Sequence, residues 1–174
     1  METTFIITFI GDDRPGLVEA LSEVVSSHGG NWQESRLSQL AGKFAGLVQV
    51  RLPEERAEAL QQGLKALDAR GLSVRVTATA ELVSDLSHQR EIRLEILGPD
   101  RPGIVREISR ALSEQAINVV DLHSEVKPAP MSAELLFHAT VEAEVPESAD
   151  LEELDETLHA IGDAMDVEIA LTQA

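Results

Sequence analysis

Two short segments hold residues whose types and spacing could do chemistry: Gly11-Asp12-Asp13-Arg14-Pro15-Gly16 and Gly98-Pro99-Asp100-Arg101-Pro102-Gly103. Neither contains a nucleophile, so the chemistry on offer is recognition. Asp13 and Asp100 stand where a helix N-cap belongs, and their carboxylates are expected to accept the backbone N–H of Gly16 and Gly103, because the intervening proline has none to give. The glycines let another group approach the backbone closely. Unspent amides at the positive end of a helix then form an anion site sized for a carboxylate. Asn31 and Asn118 each open the strand after that helix, and a carboxamide both donates and accepts, as the carboxylate and ammonium of an amino acid require. The plainer account of the same residues is structural: Asp-x-Pro-Gly turns start helices, and asparagines fill left-handed turn positions.

The elements that must position these residues come from a duplication. A shift of 87 aligns Gly11, Asp13, Arg14, Pro15 and Gly16 with Gly98, Asp100, Arg101, Pro102 and Gly103, and the register continues through Val18/Val105, Ser22/Ser109, Ser26/Ser113 and Asn31/Asn118. Each copy reads as βαββαβ. In copy one these are the strand TTFIITFI, a helix from RPGLVEALSEVVSSH stopped by Gly29-Gly30, two strands around Ala41-Gly42, a helix from Pro53 to Gly71, and a last strand LSVRVTATA. Copy two follows the same order, with Asp150 and Glu153 placed as a capping box. Its helix-start proline, Pro146, lies 93 residues after Pro53, so six extra residues fall between its middle strands, in the loop KPAPMS (127–132). The fold class is therefore α+β: two ferredoxin-like domains, each an antiparallel sheet with both helices on one face. The expected boundaries are 1–82 and 90–174, joined by a linker at 83–89. Ile6 and Ile10 make the first strand apolar on its outward face, where copy two has Arg93 and Glu95. That asymmetry implies that more protein covers the open face or edge of copy one.

Composition narrows the function. Fourteen basic against 31 acidic residues give a net charge of −17 and a pI near 4.5, which opposes direct nucleic-acid binding and adhesion to anionic membrane. Aromatic residues are 3% and tyrosine is absent, so base-stacking platforms are missing. The absence of cysteine rules out disulfides and thiolate metal sites and suits a cytoplasmic protein. No signal peptide or membrane span is expected. His28, His88, His123, His138 and His159 are scattered without ligand spacing, so neither metal nor cofactor is expected. The acidic run ESADLEELDE reads as a solvated helix face. No G-x-S-x-G or G-x-G-x-x-G occurs, and the chain is read as a non-enzyme.

A strand, a DRPG turn, a helix and an asparagine opening the next strand, within βαββαβ, resemble the ACT domain, a small regulatory module that binds amino acids. The resemblance spans nearly the whole chain. The tandem layout and the APMS sequence at 129–132 are similar to the ACT branch that represses glycine cleavage genes. That likeness implies a small amino acid such as glycine as effector, a protein partner of the LysR-activator type and a homodimer. It implies ligand-binding roles for Gly11, Asp12, Asp13, Arg14, Pro15, Gly16, Leu17 and Asn31 in copy one. In copy two it implies them for Gly98, Asp100, Arg101, Pro102, Gly103, Ile104 and Asn118. Trp32 departs from the smaller aliphatic residue usual there, Pro99 replaces Asp12, and Ala116-Ile117 replaces Gly29-Gly30, so the copies are not equivalent and copy one is the better-kept site. A ligand-free dimerisation module and a regulatory subunit of an amino-acid enzyme are the alternatives.

Overall fold

A computed structural model of the chain describes residues 1–79 and 90–173. Its backbone separates into two units, Met1–Val83 and Ser84–Ala174; the linker expected at 83–89 lies outside the described residues. Unit one runs β1 (Glu2–Asp12), α1 (Leu17–Ser27), β2 (Asn31–Leu40), β3 (Lys43–Pro53), α2 (Ala57–Lys65) and β4 (Leu72–Thr79), with 3₁₀ turns at Glu54–Arg56 and Ala66–Arg70 flanking α2. Unit two repeats this as β5 (Arg90–Pro99), α3 (Ile104–Glu114), β6 (Asn118–Pro128), β7 (Leu135–Val145), α4 (Leu151–Met165) and β8 (Glu168–Gln173). The sheets are ordered β2-β3-β1-β4 and β6-β7-β5-β8, with every neighbouring pair antiparallel.

Alternation decides which face is covered. Phe5, Ile7 and Phe9 point into one core with Leu17, Leu21 and Val25 of α1 and Leu60 and Leu64 of α2. Ile92, Leu94 and Ile96 do the same in unit two with Ile104, Ile108 and Leu112 of α3 and Leu154 and Leu158 of α4. Local signals behave as their chemistry requires. Ala41 and Gly42 take φ of 49° and 75°, the paired left-handed residues of a two-residue hairpin. Gly29 closes α1 at φ 74°, and Gly30 N–H reaches Val25 O at 2.9 Å. In unit two Ala116 takes the left-handed place at φ 54°, and Ile117 N–H reaches Leu112 O at 2.9 Å. Asp150 Oδ1 accepts the amides of Glu152 and Glu153, but the return half of the capping box is relayed. Gln115 accepts the Asp150 amide through Oε1 and donates through Nε2 to Glu153 Oε2. Lys127 and Pro128, expected in a loop, instead continue the β6 ladder as far as Pro128 opposite Leu135; proline is tolerated there because β6 is an edge strand.

The two open sheet faces differ as the first strands predict. In unit one Ile10 and Leu47 are each half exposed and Ile6 is partly covered. In unit two the same face holds a charge network. Arg93 lies 2.9 Å from Glu95, and His138 Nε2 lies 3.2 Å from Glu95 Oε2 and Nδ1 3.8 Å from Glu125 Oε1. The hydrogen bond from His138, then that from Arg93, holds the Glu95 carboxyl below its ordinary value. Such a depressed group adds stability above the usual glutamate range and loses it as pH falls through the lowered value.

His138→Ala is expected to move the Glu95 titration upward in side-chain carboxyl NMR, with Arg93 retaining part of the depression; an unchanged midpoint refutes the assignment. Leu94→Ala, at a fully buried site on the central strand of unit two, is expected to cost about 2–5 kcal/mol in urea unfolding.

Candidate ligand-binding site at the unit-one turn

The repeated hexapeptides do link the first strand of each unit to its first helix, but their capping differs from expectation. The N-cap residues are Gly16 and Gly103, at φ 90° and 99°, and no side chain caps either helix. The left-handed glycine delays the helix by one residue, so Pro15 and Pro102 lie ahead of the cap and not in the first turn. Asp13 and Asp100, three residues before the cap, are too far back to reach the first-turn amides. They tie the turn down through their own backbone instead: Asp13 N–H donates to Gly42 O at 2.9 Å, and Asp100 N–H to Leu135 O at 2.8 Å. Asp12 pairs with Lys43 across the last β1–β3 rung. Hydrogen bonding to Lys43, then the charges of Lys43 and Arg14, lowers its pKa.

Gly11 and Gly98 have a structural reason of their own. A Cβ at Gly11 would sit 2.8 Å from Gly71 O, and one at Gly98 would sit 2.7 Å from Val167 Cα. These glycines let β4 and β8 pass close. Leu17 and Ile104 are buried and anchor their helices to the core. Asn31 and Asn118 are exposed, and their own turns do not lie beside them. Asn31 pairs with Arg51 while Asp12 pairs with Lys43, which separates asparagine and turn by eight β3 residues, about 26 Å at strand rise. In unit two, Asn118 opposite Glu144 and Pro99 opposite Leu136 give the same separation. The topology sends the chain back along the helix before β2 begins, so each asparagine starts at the far end of the sheet from its own turn.

The unit-one turn borders a cavity of about 460 Å³ that sequence reasoning missed. It opens between the start of α1 and the 3₁₀ segment ending at Arg70. Arg14, Pro15 and Gly16 form one wall, and Leu17, Leu67 and Leu72 contribute apolar surface. Glu19 and Glu23, one turn apart on α1, line it together with Arg70. The Arg14 guanidinium donates to the Arg70 carbonyl and so ties the turn to the 3₁₀ segment. Among the described residues, Glu19, Glu23 and the Arg70 guanidinium form no ion pair.

Unit two builds the corresponding corner differently. Gly11 pairs with Leu72, and Gly98 packs on Val167, so Met165 and Asp166 occupy the places of Arg70 and Gly71. Asp166 takes the left-handed conformation at φ 59°, and its carboxylate lies 3.6 Å from the Arg101 guanidinium. The Met165 methyl would lie 3.7 Å from a Cβ at Gly103, whereas nothing among the described residues comes within 4 Å of one at Gly16. Arg106 and Arg110 stand where unit one has Glu19 and Glu23. That charge reversal holds at the constant shift of 87 and was readable in the sequence.

Elsewhere, His28 Nδ1 lies 2.7 Å from Val24 O and His159 Nδ1 2.8 Å from Asp155 O; His88 lies outside the described residues. Among the described residues no group of three or more His, Asp or Glu could hold a metal, and no helix is long and apolar enough to cross a membrane.

Comparison with known proteins agrees with this architecture. Residues 3–77 and residues 92–163 each match an ACT domain family. The chain is 26% identical over 168 residues to the glycine cleavage system transcriptional repressor of Escherichia coli (strain K12), covering 90% of this chain and 82% of that protein. The crystal structure of an unknown protein from Galdieria sulphuraria superposes with a TM-score of 0.83 at 27% identity, covering 100% of this chain and 99% of the other. With both units matched and the ferredoxin-like topology present in each, the chain belongs to the ACT-domain family, as a tandem pair.

Proposed function

We propose that this chain is a cytoplasmic, non-enzymatic regulator that senses a small amino acid, glycine or one close to it, and controls transcription through contact with a protein. The observation that carries this reading is the relative named as a transcriptional repressor, which aligns across both ACT units and not one alone. The net charge of −17 supports protein contact over DNA contact, since a surface of that sign repels phosphates. A LysR-type activator is the proposed partner.

The effector site is proposed at the unit-one turn. Gly16 there is open, and among the described residues the Arg14 guanidinium donates to a neighbouring carbonyl and forms no ion pair. At the unit-two turn Arg101 is already engaged by Asp166 and Met165 lies near Gly103, which supports a structural role for that copy. Asn31 and Asn118, distant from their own turns, are proposed to act at a homodimer edge, with Gly11 and Gly98 setting the backbone.

Calorimetry of the full chain against the twenty amino acids is expected to show binding of glycine or serine, and an activator of the LysR type is expected to co-purify in an effector-dependent way. No heat with any amino acid overturns the sensor reading. Binding without any effector-dependent partner overturns the transcriptional one.

A further inference from the structure

Resting on the amino-acid-sensing reading, we propose that the cavity between α1 and the 3₁₀ end of α2 is the chamber that receives the effector in unit one, selecting zwitterions by charges of both signs on opposite elements. Arg14 and Arg70 approach from the turn and from the end of the 3₁₀ segment after α2; Glu19 and Glu23 approach from α1. Guanidinium is the side chain best matched to a carboxylate, which it grips with two parallel N–H donors. A pair of carboxylates one helical turn apart is a natural seat for an ammonium group. Leu17, Leu67 and Leu72 supply apolar surface that holds a short aliphatic stem and makes no demand for one.

Three observations point to a ligand here. The chamber, about 460 Å³, exceeds what glycine or serine needs and falls within the size range of small-molecule sites. Of its four charged side chains, Arg70, Glu19 and Glu23 form no ion pair among the described residues, although opposite charges lie around one depression. In unit two the turn arginine is kept but the charges around it are altered: Met165 replaces Arg70, Arg106 and Arg110 replace both glutamates, and Asp166 lies beside Arg101. Arg110 is itself paired with Glu107 and Glu114. Duplication preserved the fold at this corner and not the charge pattern, as expected if only one copy keeps a ligand.

The test uses the full chain and two exchanges that copy unit two's own residues, Arg70→Met and Glu23→Arg. Both sites are exposed, so melting temperatures should match the wild type. Each exchange is expected to weaken glycine or serine binding about 10- to 100-fold, the range for losing a charge-assisted hydrogen bond. Acetate and methylamine, each carrying one of the two charges, are expected to bind at least about tenfold more weakly than glycine. Amide shifts on adding glycine should centre on Leu17, Ala20, Leu67 and Leu72. Unchanged affinity in both variants, or shifts centred on β2 around Asn31, overturns the chamber while the sensor reading stands. Failure of the wild-type chain to bind any amino acid overturns both.

Discussion

The close pass of the first strand over the start of the last one is the constraint on which the rest of each unit depends. At Gly11 a side chain would drive a carbon to 2.8 Å from the Gly71 carbonyl, and at Gly98 to 2.7 Å from Val167 Cα. Both contacts are with backbone, which cannot swing aside as a flexible side chain can. With only hydrogen at these positions, β4 and β8 come close enough for the residues preceding them to stand beside the turn after β1 or β5. In unit one that residue is Arg70, whose carbonyl receives the Arg14 guanidinium. In unit two it is Met165, with Asp166 beside it facing Arg101. The glycines therefore fix the meeting of turn and helix end, and the side chains placed there decide what the meeting can do.

This separates what duplication must retain from what it can vary. The left-handed glycines at 16 and 103, the prolines ahead of them and the buried stripes of α1 and α3 are held by sterics and burial, and they survive in both copies. Exposed α1 positions carry no such demand. Glu19 and Glu23 against Arg106 and Arg110 show the charge inverted over the same backbone. The outward sheet faces diverged in the same manner, apolar around Ile10 and Leu47 in unit one and ionic around Glu95 in unit two.

Features set by neighbouring residues were legible in the sequence. The hairpin at Ala41-Gly42, the stop at Gly29, the alternation through Phe5, Ile7 and Phe9 and the cap at Asp150 all follow from chemistry within a few positions. Features set by register were not. Capping by Asp13 looked sound because aspartate before a helix usually caps it, but Gly16 at φ 90° takes that place and puts the carboxylate out of reach. Asn31 lies near the turn in the chain, but the βαβ return places them at opposite ends of one sheet. The Arg70 corner needed the β1–β4 pairing to be known, since 59 residues separate Gly11 from Arg70.

Net charge bears on the kind of molecule that can settle at the unit-one turn. A chain with 17 excess negative charges disfavours the approach of anions over distances comparable with the screening length, about 8 Å at physiological salt. A dicarboxylate or nucleotide works against that field throughout its approach. A zwitterion carries no net charge and responds only to differences in potential across its own few ångströms. The cavity beside Arg14 and Arg70, with Glu19 and Glu23 on the facing helix, supplies such a difference in a surface that is otherwise acidic. The long-range field and the local dipole thus act on different properties of a molecule, one against net charge and the other for charge separation, which is why the proposed effector is a small neutral amino acid.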